Sequence, residues 1–269
     1  MKLFAVIGNP IAHSLSPLIH EEFANQNGLN LTYQKILATS DNFEATVKAF
    51  QKRGGNGLNI TKPFKEQAYQ LCHLLSGRAK KAGAVNTIKF LESGEIYGDN
   101  TDGIGFIRDI KVNLNISLAA KKILILGAGG AARGILPFIL AEDPLMITVA
   151  NRDLLKAHQL QKKQDIADKI IITDYFNLSG KFEIIINCTN MTLEEMKKNL
   201  SAINFYSHTY CYDLTYHPQD QTPFLIWAAN QKLSASDGIG MLAEQAAESF
   251  WVWYGIRPST EKLIKNLKK

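Results

Sequence analysis

Cysteine, histidine and long apolar runs are all scarce in this chain of 269 residues. Cys72, Cys188 and Cys211 are odd in number and have no close pair. That excludes a disulfide framework or a thiolate zinc site and reads as buried, reduced thiols of a cytosolic protein. The 6 histidines fall into no ligand spacing, so no metal site is expected. His20-Glu21-Glu22-Phe23-Ala24 begins like a zinc-protease helix but lacks the second histidine. Apolar stretches such as 135–141 fall far short of the ~18 residues a membrane helix needs. The N-terminal apolar stretch is too short for a secretory signal and reads as a first strand. There is no repeat, low-complexity tract or Gly/Ser linker. Net charge is only +5, and the dense basic cluster at 262–269 reads as a solvated helix end. No helix-turn-helix, RRM or zinc-finger pattern accompanies it, so neither nucleic acid nor membrane is an expected partner.

What is present is a globular balance, 46% hydrophobic and 20% charged. Short β-branched runs alternate with helical stretches. Strands are predicted at 3–8, 31–37, 57–60, 85–90 and 95–98, the last two flanking a turn at Glu92-Ser93-Gly94. A helix opens at Ser16-Pro17 with Ser16 as N-cap, another spans 41–52, and a third starts at Thr61-Lys62-Pro63. The pattern restarts with strands at 122–126, 145–150, 170–173, 182–187, 209–214 and 233–235, and closes with helices at 241–254 and 258–268. Such alternation predicts an α/β fold of two domains with a cleft between them. One is an N-terminal substrate domain, 1–102 with 242–269. The other is a Rossmann-like dinucleotide domain, 103–241, whose six strands form a mostly parallel sheet.

Gly127-Ala128-Gly129-Gly130-Ala131-Ala132 follows a buried strand and opens a helix, the context a dinucleotide fingerprint requires. Gly127 permits the tight turn, Gly129 lets backbone approach a pyrophosphate, and the small Ala132 allows close helix–strand packing. The helix N-terminus offers free N–H groups to phosphate. About 20 residues on, where an acid would bind the ribose of NAD, the chain reads Asn151-Arg152. A guanidinium matches a 2′-phosphate, and Lys156 adds a second charge, which favours NADP. Asp153 points the other way, because a carboxylate beside that phosphate repels it.

Four local clusters in the first half carry polar chemistry. Ser14-Leu15-Ser16 sets two hydroxyls beside a helix start, suited to a carboxylate. Asn59-Ile60-Thr61 presents alternate side chains to one face of a strand end. Lys65 lies on a first helical turn, and Asn86-Thr87 with Asn100-Thr101-Asp102-Gly103 adds amides and a carboxylate. Singly, each reads better as a cap, a turn or a surface charge.

Together and in this order they resemble the shikimate dehydrogenase family over almost the whole chain. The resemblance runs through Gly8-Asn9-Pro10-Ile11-Ala12-His13-Ser14-Leu15-Ser16-Pro17, Asn59-Ile60-Thr61-Lys62-Pro63-Phe64-Lys65 and Gly83-Ala84-Val85-Asn86-Thr87. It continues through Gly98-Asp99-Asn100-Thr101-Asp102-Gly103, the glycine loop with Asn151-Arg152, and Asp237-Gly238-Ile239-Gly240-Met241-Leu242 with Gln245. It implies NADPH-dependent reduction of 3-dehydroshikimate to shikimate in chorismate and aromatic amino-acid biosynthesis, by a cytoplasmic monomer or homodimer. By motif position it implies Lys65 and Asp102 as the catalytic pair and Ser14 and Ser16 on the substrate carboxylate. Asn59, Thr61, Asn86, Asp102 and Gln245 would meet ring hydroxyls, with Tyr216 near the substrate. It places Gly127, Ala128, Gly129, Gly130, Ala131, Asn151, Arg152, Lys156, Thr189, Leu214, Gly238 and Met241 on the cofactor. One departure stands out. After Asn187-Cys188-Thr189 the family continues with small residues and a glycine, whereas this chain reads Asn190-Met191-Thr192-Leu193-Glu194-Glu195-Met196. Two other readings stay open: an NAD-preferring quinate/shikimate dehydrogenase, and a non-catalytic relative that binds a small acid.

Overall fold

A computed structural model describes residues 1–162, 167–217 and 220–268. The chain divides into two compact units, Met1–Phe106 with Leu242–Leu267, and Ile107–Met241.

The first unit begins β1 (Lys2–Gly8), α1 (Ser16–Gln26), β2 (Leu31–Leu37), α2 (Phe43–Lys52) and β3 (Gly55–Ile60). It continues α3 (Lys65–Leu71), β4 (Leu74–Leu75), α4 (Gly77–Ala82), β5 (Thr87–Phe90), β6 (Ile96–Asp99) and α5 (Asp102–Arg108). Its sheet runs β2-β1-β3-β5-β6-β4 and is mixed, because β5 lies antiparallel to both β3 and β6. Both faces of the sheet are covered, so β1 reads as a continuous apolar run in which Phe4 to Ile7 are all buried.

The expected helix starts shift in two places. Ser16 is not the N-cap of α1: Leu15 is, without a side-chain cap, and the Ser16 amide donates to Ser14 Oγ at 3.3 Å. The helix expected from Thr61 begins at Lys65. A turn closed by the Phe64 amide on the Thr61 carbonyl comes first.

The second unit holds β7 (Lys122–Leu126), α6 (Gly130–Ala141), β8 (Met146–Ala150), α7 (Leu154–Lys162), β9 (Ile170–Thr173) and β10 (Gly180–Asn187). Then follow α8 (Leu193–Asn199), β11 (Ile203–Asp213), α9 (Pro223–Asn230) and β12 (Ser234–Ser236). A single π turn, Asp109–Asn113, precedes β7. The sheet order is β12-β11-β10-β7-β8-β9, all parallel. That is the doubly wound order, and it reverses between β7 and β10, where such sheets bind ligands beyond their strand ends. β11 starts earlier than its apolar run suggests. Polar residues 206–209 fall at a register irregularity, which Thr209 Oγ1 pins by donating to the Phe182 carbonyl at 2.7 Å.

The chain closes with α10 (Ile239–Tyr254) and α11 (Glu261–Leu267). Ala243, Ala246, Ala247 and Phe250 of α10, with Leu263 and Ile264 of α11, form one core with Ile19 and Phe23 of α1. That packing returns the C-terminal helices to the first unit. Among the described residues no helix is long and apolar enough to cross a membrane.

Candidate active site

The first unit gathers its polar side chains at the ends of β3, β5 and β6. Lys65, on the first turn of α3, places Nζ 2.6 Å from Asp102 Oδ2 at the start of α5. The other oxygen, Oδ1, accepts from Asn86 Nδ2 at 2.8 Å. Asn86 Oδ1 in turn accepts from the Thr101 amide at 2.8 Å and from Thr87 Oγ1 at 2.9 Å. The Asp102 carboxylate is thereby held between a cation and a fixed amide.

Gln245 comes from α10 and accepts from the Asn86 amide at 3.3 Å. One helical turn on, Ser249 reaches Asn59 Nδ2 at 3.0 Å, Thr87 Oγ1 at 2.7 Å and Thr101 Oγ1 at 3.2 Å. Ser14 Oγ donates to Ser16 Oγ at 3.1 Å, so the two hydroxyls do share one side of the segment. Thr61 is half-buried just beyond β3. Asn59 and Asn86 are only 6% and 2% exposed, and protein partners occupy their amides on both sides. Tyr216 lies in the second unit, where burial raises its hydroxyl pKa.

An ion network stands behind this constellation. Arg78 grips Asp99 through Nε and Nη2, each at 2.7 Å, and Glu248 through Nη1 at 2.7 Å. Arg257 joins Glu248 to Glu244, both at 2.5 Å. It ties α10 to the strand end that leads into Asn100-Thr101-Asp102. Removing one partner from such a buried set strands the others.

In the second unit the glycine loop lies at the sheet's reversal point. Gly127 has φ +98°, and a Cβ there would stand 2.8 Å from Thr189 Cγ2, so the position needs glycine on both counts. Gly129 and Gly130 face open space. No hydrogen bond from the amides of Gly129, Gly130 or Ala131 is found among the described residues. Open room beside unpaired N–H groups at a helix start fits a dinucleotide pyrophosphate. Ala128 donates its amide to Asn151 Oδ1 at 3.2 Å, fastening the loop to the end of β8. Arg152 and Lys156 are exposed next to it.

Asp153 is engaged locally. It accepts the Lys156 amide at 3.2 Å as a cap of α7, and its other oxygen lies 3.9 Å from Lys156 Nζ. The repulsion expected of this carboxylate is therefore partly offset, and so is the extra charge expected of Lys156. Arg152 is exposed beside Asp153.

The glycine-less segment after Thr189 is ordered by its own sequence. Thr192 and Glu195 form a reciprocal capping box that starts α8. Hydrogen bonds from Thr192 hold the Glu195 carboxyl below its usual range, and the Arg152 charge adds to the effect. Thr189 itself donates to Asn187 Oδ1 at 2.7 Å. Asn187 Nδ2 donates to Asp213 Oδ1 at 3.0 Å, and Thr222 Oγ1 closes the set on Asp213 Oδ2 at 2.6 Å. Leu214 donates its amide to the Asn187 carbonyl at 3.0 Å. Gly238 packs on Leu214 so closely that a Cβ would meet its carbonyl oxygen at 2.5 Å. Met241 is half-buried at the start of α10.

Asp213, Thr222, Ser249, Tyr33 and His20 escape a reading of local motifs. Only Ser249 leaves a trace, lying four residues after Gln245 and so on the same helix face. Cys72 and Cys211 have pKa values pushed up to about 12 by burial, which makes them poor nucleophiles. Only Cys211 is fully buried; Cys72 and Cys188 are partly accessible. Among the described residues no cluster could hold a metal ion.

Comparison with known proteins gives a consistent picture. Residues 6–88 match the family profile "Shikimate dehydrogenase substrate binding domain", and residues 110–210 match "Shikimate / quinate 5-dehydrogenase". The Shikimate dehydrogenase (NADP(+)) of Nitrosomonas europaea is 47% identical, across 100% of this chain and 97% of its own. The crystal structure of an Ael1 enzyme from Pseudomonas putida superposes with TM-score 0.88 at 40% identity, covering 99% of this chain and 98% of that one. The Thermus thermophilus shikimate 5-dehydrogenase, solved in complex with NADP(H) and shikimate, gives 0.84 at 31% identity, covering 100% and 99%. With both halves matched and identity sustained end to end, the chain belongs to the shikimate dehydrogenase family.

Proposed function

We propose that this chain catalyses the reversible NADPH-dependent reduction of 3-dehydroshikimate to shikimate, a step of chorismate and aromatic amino-acid biosynthesis. The observation that carries the proposal is the Lys65–Asp102 ion pair, with Asn86 on the second carboxylate oxygen. Reduction of a ring ketone leaves negative charge on its oxygen. The Lys65 ammonium stabilises that charge and donates the proton, while Asp102 keeps the ammonium in place. In oxidation the same pair accepts the proton from the alcohol. NADP, when bound, takes up or supplies the hydride. Ser14 and Ser16 hold the substrate carboxylate, and Asn59, Thr61, Asn86, Asp102 and Gln245 set the ring hydroxyls, with Tyr216 near the substrate. These residues, Tyr216 apart, belong to 1–102 and 242–269, the proposed substrate domain.

The amides of Gly129, Gly130 and Ala131 suit the pyrophosphate, with Gly127 and Ala128 forming the turn that presents them, and Asn151, Arg152 and Lys156 suit the 2′-phosphate end. Thr189, Leu214, Gly238 and Met241 line the other end of the same cofactor. An NAD-preferring quinate enzyme is the second reading: Asp153 speaks faintly for it, and Arg152 and Lys156 speak against it. A non-catalytic acid binder would have no use for a proton-transfer pair. We place the protein in the cytoplasm, as a monomer or homodimer acting on a small acid and on neither nucleic acid nor membrane. Initial rates of shikimate oxidation with NADP and with NAD test the reaction, and turnover with NADP preferred is expected.

A further inference from the structure

We propose, resting on that reaction, that His20 is a positioning residue for the substrate, acting through the side-chain amide of Asn59. Asn59 Nδ2 lies 3.4 Å from the Asn86 carbonyl oxygen, an atom that can only accept. The NH2 end therefore faces that carbonyl and Ser249 Oγ, the latter at 3.0 Å. The oxygen end then faces His20 Nε2 at 3.0 Å and the Tyr33 hydroxyl at 2.6 Å, and both must donate. One string of hydrogen bonds thus runs from Tyr33 and His20 through Asn59 to Ser249 and the Asn86 carbonyl, beside the residues proposed to set the ring hydroxyls. His20 adds the second donor that fixes the Asn59 amide with its NH2 end toward Ser249 and the carbonyl of Asn86, whose own side chain holds Asp102.

Packing alone gives no reason for an imidazole at this position. His20 is completely buried, stacked on Tyr33 with ring centroids 4.7 Å apart and the planes 7° from parallel. Phe23, Phe250 and Trp253 enclose it further. Its Nδ1 has no hydrogen-bond partner among the described residues. A buried polar atom left unpaired is costly, and a phenyl ring would offer the same stacking without it. What a phenyl ring cannot supply is the donor to Asn59. Burial lowers the imidazole pKa to about 3, so at neutral pH its single proton sits on Nε2 and is given to that amide.

Steady-state kinetics of shikimate oxidation on wild type, His20→Phe, His20→Gln and Tyr33→Phe test the role. In His20→Phe the KM for shikimate should rise about tenfold, the worth of one buried hydrogen bond. The KM for NADP should stay within about twofold, and kcat should change less than the shikimate KM. His20→Gln, whose amide can donate from the same helix, should recover most of the loss. Tyr33→Phe removes the other donor and should give the same split, which keeps the test standing if His20→Phe fails to fold. An unchanged shikimate KM in folded variants, equal changes in both KM values, or no recovery with glutamine would overturn the role. A wild type that does not turn shikimate over would remove the reaction and this role together; an active wild type with unaffected variants would remove the role alone.

Discussion

Lys65 Nζ stands 2.6 Å from one oxygen of Asp102 while Asn86 holds the other at 2.8 Å. The carboxylate therefore cannot turn away from the ammonium without losing a second hydrogen bond. Such a pair is preorganised for an alcohol–ketone interconversion, in which one proton must arrive or leave where charge develops.

Lys65→Ala should lower kcat by about 10²-fold or more, the range of acid–base groups, with a smaller change in the KM for shikimate. Initial rates over a range of shikimate concentrations separate the two. An unchanged kcat would take Lys65 out of the mechanism.

Arg152 is the residue proposed to discriminate NADP from NAD, while Asp153 caps α7. Arg152→Ala should raise the KM for NADP by about 10- to 100-fold, the value of a charge-assisted hydrogen bond to phosphate. The KM for NAD should stay within about twofold. Parallel loss with both cofactors would mean that Arg152 supports the loop rather than reading the phosphate.

Acid should act on the fold through His20. Its pKa falls from 6.5 to about 3 on burial, so the native state keeps it neutral while the unfolded chain protonates it. Stability from this group is complete above pH 6.5 and is lost progressively as pH falls toward 3, at about 1.4 kcal/mol per unit. Between pH 7 and pH 5, urea unfolding of wild type should lose about 2 kcal/mol more than His20→Phe does. Equal losses would mean that His20 is protonated in the native protein.

Local chain geometry explains what the sequence discloses. Strand and helix periodicity locates most elements, and the glycine loop announces β7 and α6 because its turn depends on neighbouring residues alone. Ser14, Ser16, Lys65, Asn86 and Asp102 stand in short motifs whose spacing survives folding. Partners far apart in sequence leave no such mark: Asn59 and Ser249 are 190 residues apart and meet only because α10 packs back against α1. His20 reads as an ordinary helix residue until Asn59 and Tyr33 surround it. The segment after Thr189 misleads in the opposite way, since the missing glycine suggests a disturbed loop while Thr192 and Glu195 encode a capped helix.

Shikimate oxidation followed at the nicotinamide absorbance, with NADP and NAD in parallel, tests the central claim most directly. The ion pair, the ordered segment after Thr189 and the exposed Arg152 together predict turnover with NADP strongly preferred. A folded protein that turns shikimate over with neither cofactor, or faster with NAD than with NADP, would contradict it.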